Sequence, residues 1–71
     1  MIRYVLKALN GSVDTSQLVK DVSNVDGVRN VVLDFTFGRE HLLFVDGVFD
    51  SLKVGAEITH GGYSIARQDR Q

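Results

Sequence analysis

The stretch Leu9-Asn10-Gly11-Ser12-Val13-Asp14-Thr15-Ser16-Gln17-Leu18-Val19-Lys20-Asp21-Val22-Ser23-Asn24-Val25-Asp26-Gly27-Val28 decides the fold. Its first residues are turn formers. Asp14 followed three residues later by Gln17 has the spacing of a capping box, in which Asp14 accepts from the Gln17 amide and the Gln17 side chain reaches back to the Asp14 amide. Val13 before the cap and Leu18 at the fourth helical position have the spacing of a hydrophobic staple. Leu18, Val22 and Val25 then line one helical face while Lys20, Asp21, Ser23 and Asn24 face water. Asp26-Gly27 stops the helix. A well-marked helix thus follows one strand and launches another.

Outward from this helix, the pattern switches to a period of two. Before it, Ile2, Tyr4, Leu6 and Ala8 alternate with Arg3, Val5, Lys7 and Leu9, giving a strand over 2–9 with one apolar face. After it, Val28 to Phe35 is rich in β-branched residues, with Val31, Leu33 and Phe35 on one face and Asn30, Val32 and Asp34 on the other. The short connection Thr36-Phe37-Gly38-Arg39 leads into a strand from Glu40 to Val45, which predicts an antiparallel hairpin. Asp50 or Ser51 caps a second helix carrying Val54 and Ile58. Gly55 costs this helix about 1 kcal/mol relative to alanine. Gly61-Gly62 closes it, Tyr63 to Arg67 forms the last strand, and 68–71 is expected to fray as a polar tail.

The order β-α-β-β-α-β predicts an α+β, ferredoxin-like domain spanning 1–71: a four-stranded antiparallel sheet of order 4-1-3-2 with both helices on one face. The chain has 71 residues, 44% hydrophobic and 24% charged, enough for one small core and a polar surface. Its net charge of −1 lacks the basic excess of a sequence-blind nucleic-acid binder. Without cysteine it has neither a disulfide nor a thiolate nucleophile. Arg3 and Lys7 interrupt the first apolar run, so it reads as neither signal peptide nor membrane span, and cytoplasmic residence is expected.

In its element order the chain resembles the heavy-metal-associated domain of copper chaperones, mercury-binding proteins and metal-transporting ATPases. Aligned without gaps backwards from Gly27-Val28, Leu18, Val22, Val25 and Val28 fall on that family's apolar helix and turn positions. Gly62-Tyr63 is similar to the Gly-Tyr pair after its second helix. The family's signature is Gly-Met-x-Cys-x-x-Cys before the first helix. Here Ala8 and Leu9 replace its glycine and methionine, while Gly11 and Asp14 replace its two cysteines. The resemblance implies the fold, but soft copper(I) or mercury(II) needs thiolates that this loop does not have.

The topology is expected to gather Asn10, Ser12, Asp14, Arg39, His60 and Tyr63 at one end. There Asp14 and His60 are candidate ligands for weak binding of Zn²⁺, Cu²⁺ or Ni²⁺. Capping already accounts for Asp14, and the helix dipole favours a histidine at His60, so no metal and no cofactor is expected. His41 reads as an edge or surface residue. No serine has a nucleophile elbow or a placed base, so an enzyme is not expected.

RNA-binding ferredoxin-like modules stack bases on open-face aromatics. Here Tyr4, Phe35 and Phe44 are assigned to the core, leaving no such platform. On the open face, Val5, Val32 and Leu43 are the candidates for a small apolar interaction patch ringed by charge. The function expected is protein–protein interaction or regulatory assembly, self-association included. Weak divalent-metal binding and small-ligand sensing are the alternatives.

Overall fold

The computed structural model describes residues 1–9, 13–35 and 40–70. The elements are β1 (Ile2–Ala8), α1 (Thr15–Ser23), β2 (Val28–Phe35), β3 (Glu40–Gly47), α2 (Ser51–His60) and β4 (Tyr63–Arg70). All strand pairs are antiparallel and the sheet order is β2-β3-β1-β4, which from the other edge is the expected 4-1-3-2. The ferredoxin-like reading therefore holds.

Asp14 caps α1, its carboxylate accepting from the Gln17 amide at 3.0 Å. Only this half of the predicted capping box forms. The Gln17 side-chain amide donates instead to Asp21, one helical turn on, at 2.8 Å, an exposed pairing at the i,i+4 spacing that helices favour. Asp50 caps α2, its carboxylate accepting from the Leu52 amide at 2.9 Å. Both helices direct their buried residues at the sheet: Leu18 and Val22 from α1, Val54 and Ile58 from α2. These meet Ile2, Tyr4 and Leu6 of β1, Leu43 and Val45 of β3, and Tyr63 of β4 in one core. Val13, Val25, Val28, Val31 and Leu33 pack against its margin. No buried residue of that core is charged. Removing these aliphatic and aromatic surfaces from water is the main force holding helices to sheet.

Two turns interlock at one end. Gly47 has φ +132°, and a Cβ there would collide with the Gly27 carbonyl oxygen. That oxygen accepts from the Val48 amide at 3.0 Å. Only glycine allows this close approach of the two backbones.

Three sequence readings are corrected. Residues 68–70, read as a frayed tail, continue β4, where Gln68, Asp69 and Arg70 pair with Tyr4, Arg3 and Ile2. The ladder hydrogen bonds to β1 order a segment that carries no apolar signal of its own. Leu43, read as an open-face residue, is fully buried in the core, and Phe44, read as a core residue, lies on the opposite face. The cause lies in β3 itself: Leu42-Leu43-Phe44-Val45 is uniformly apolar, so alternation alone does not say which side each residue takes.

Candidate interaction face

The face turned away from the helices is built by alternation. Because Ile2, Tyr4 and Leu6 enter the core, Arg3, Val5 and Lys7 take the other side of β1. Opposite them on β3 stand Phe44, Leu42 and Glu40. On β2, Val32 pairs with Phe44 and Asp34 with Leu42. Val5 is only 8% exposed although it lies outside the core, while Val32 is 50% exposed. The centre of the face is therefore apolar, formed by Val5, Leu42, Phe44 and Val32. Of the three patch residues expected from sequence, Val5 and Val32 are on this face; Leu43 is not, and its neighbour Leu42 takes its place.

An irregularity in β4 supplies the rest of the face. Leu6 pairs with Ile65 but Val5 pairs with Arg67, so Ala66 is an extra residue at a bulge. A bulge shifts the phase of the strand that carries it. Tyr63 and Ile65 precede it on the core side. Beyond it Arg67 and Asp69 stand opposite Val5 and Arg3 on the open side. Asp69 accepts from Arg3 at 2.6 Å and from Arg67 at 2.9 Å. The hydrogen bond from Arg3, reinforced by Arg67, holds the Asp69 carboxyl below its ordinary range despite some opposing desolvation. A shallow depression of about 480 Å³ runs over Val5 and Leu42, walled by Arg3, Lys7, Glu40, Ala66 and Arg67. Arg67 and Asp69 are not legible as parts of this face: the sequence reading ends the last strand at Arg67, nothing in Gln68-Asp69-Arg70 marks a strand, and nothing at Ala66 marks a bulge.

The other sequence-predicted location is the end where β1 leaves the sheet. There the Leu9 amide donates to the Gly62 carbonyl at 2.9 Å, joining the loop after β1 to the turn after α2. Tyr63 is fully buried, and its hydroxyl has no hydrogen-bond partner among the described residues. Burial, with a smaller contribution from the Asp14 charge, raises the Tyr63 pKa. His41 is not a surface residue: it is half-buried and meets the Tyr63 ring edge-on, with centroids 5.9 Å apart. Asp14 is occupied as the α1 cap and His60 is exposed in the last turn of α2. Among the described residues no three histidine, aspartate or glutamate side chains are grouped to hold a metal ion. Asn10, Ser12 and Arg39 lie outside the described residues.

Phe44 is the aromatic side chain placed on the open face among the described residues, a single ring where RNA-binding sheets use two or three. No described helix is long and apolar enough to cross a membrane. No family model matches the chain, and no curated protein matches it either.

Proposed function

We propose that this is a non-enzymatic protein-association module that works through the open face of its sheet. The observation that carries the reading is the apolar centre formed by Val5, Leu42, Phe44 and Val32 inside a border of charged side chains. An apolar centre with a polar rim is the usual anatomy of a protein interface. Single exposed apolar residues such as Val48 and Leu52 do not make such an arrangement. The resemblance to heavy-metal-associated domains agrees with this topology, and the missing thiolates lead away from soft-metal transfer.

The test is site-specific photocrosslinking. A photoreactive phenylalanine analogue is placed at Val32 on the face or, as a control, at Leu52 on α2, which is 81% exposed. Irradiation under native conditions is expected to give protein adducts of discrete mass from Val32 and none from Leu52. Absence of adducts from Val32, or the same adducts from both positions, overturns the reading.

A further inference from the structure

We infer that the occupant of this face is a second copy of the same chain, seated face to face about a twofold axis that runs parallel to the strands. The inference rests on the association reading above and adds the identity of the partner and its orientation.

Charge is divided across the sheet. Asp34 of β2 and Glu40 and Asp46 of β3 outweigh Arg29, which pairs with Asp46 at 3.5 Å, and leave one half net acidic, with Glu40 facing Lys7 across the seam. Arg3 and Lys7 of β1 and Arg67 of β4 make the other half basic, with Asp69 held between Arg3 and Arg67. The boundary between the halves is the β3–β1 seam, where Leu42 pairs with Val5. A face divided in this way suits no strongly acidic or strongly basic partner, because either would meet repulsion on one half.

It does match itself, and the match selects one geometry. Two copies face to face are related by a twofold axis lying between the sheets, since a closed pair of identical chains uses the same patch twice. If the axis runs across the strands, β2 lies over β2 and the acidic halves oppose each other. If it runs along the strands above the β3–β1 seam, β3 lies over β1 and β2 over β4. Each acidic half then covers a basic half, and the apolar seams meet at the centre. Sheets stacked face to face pack with their strands nearly aligned, at about −30°, which is compatible with this axis.

Size bounds the interface. With extents of 30 × 21 × 17 Å, the molecule offers a broad side that limits the buried surface. Covering it fully in both copies buries roughly 1,200 Å² in total, the lower end for specific interfaces. Interfaces at this lower end include weak, transient encounters, so the dimer is expected to be reversible, with a dissociation constant sought between about 1 μM and 1 mM. Exposed charges at its rim make it weaken as salt rises, since the screening length falls from about 10 Å at 0.1 M to 3 Å at 1 M.

Analytical ultracentrifugation of the full chain up to about 1 mM, the weak limit of that range, is expected to show a monomer–dimer equilibrium that shifts several-fold towards monomer between low and high salt. The double variants Asp34→Lys with Glu40→Lys, and Lys7→Glu with Arg67→Glu, are each expected to be monomeric alone and to pair when mixed. A nitroxide attached through Asn30→Cys, the chain having no other cysteine, reads the axis without any charge reversal. It is expected to broaden the amides of β4 in an unlabelled, ¹⁵N-labelled copy. Broadening of β2 instead overturns the axis. A strict monomer at the highest concentration, undiminished dimer in either charge variant, or folded variants that fail to pair on mixing overturns the second copy as occupant. Photocrosslinking from Val32 separates the two readings. Adducts of other discrete mass with a monomeric chain remove self-pairing and leave the association module standing, whereas no adduct of any kind removes both.

Discussion

The two faces of this one sheet are made by the same alternation and end in different states. On the helix side, Tyr4, Leu6, Leu43 and Val45 are completely buried under α1 and α2. On the other side, Val5 is nearly as buried without any helix over it, and Val32 is half exposed. The difference teaches that burial and membership of the core are separate properties in a small sheet. Val5 is shielded by its cross-strand neighbours on β3 and β4, whereas Leu43 depends on two helices docked above it.

The largest expected effect tests that distinction directly. Leu43→Ala leaves a hole beneath both helices and is expected to cost about 3 kcal/mol in chemical denaturation, as large-to-small changes in cores do. Leu42→Ala, one residue away on the open face, is expected to cost less than about 1 kcal/mol, within the range of surface changes. Equal losses would erase the difference between the faces. Next in size is Asp14→Ala, which removes the cap from α1, the helix that buries Leu18 and Val22, and is expected to lower stability by about 1 kcal/mol. Retention of wild-type stability would mean that the α1 N-terminus is held by packing alone.

A third test bears on the open face through pH. Arg3 and Arg67 depress the Asp69 pKa in the folded chain, so this ionic contribution is fully present above the unfolded-state value of about 3.9 and is lost as pH falls through the folded-state value. Acid titration of the melting temperature is therefore expected to be steeper in the wild type than in Asp69→Asn below about pH 4. Matching slopes would remove Asp69 as a contributor. The smallest effect is expected from Leu52→Gln on the exposed side of α2: a change within about 0.5 kcal/mol, measured by the same denaturation.

What the sequence makes legible follows from where the information is local. Asp14, Gln17 and Leu18 lie within a few residues of one another, and the start of α1 is read correctly from them. β1 is equally clear, because charged and apolar residues alternate and fix its phase. β3 fails for lack of such punctuation: Leu42, Leu43, Phe44 and Val45 are all apolar, so the side each takes is set by the helices above the sheet. β4 fails for a different reason. Its final residues are polar, and the bulge at Ala66 that turns Arg67 and Asp69 onto the open face arises from pairing with a strand more than sixty residues away in sequence. The candidate face was thus legible only in part, with Val5 and Val32 found and Leu42, Phe44, Arg67 and Asp69 requiring the three-dimensional arrangement.

The pairing of Ile2 with Arg70 also has a mechanical meaning. The start of β1 and the end of β4 lie side by side on antiparallel strands, whose hydrogen bonds run perpendicular to the chain direction. Tension applied at these two points loads the ladder one bond at a time, peeling β4 from the sheet edge instead of shearing all its bonds together. The domain therefore opens like a zipper under pulling, and gives way at low force even where its core is well packed.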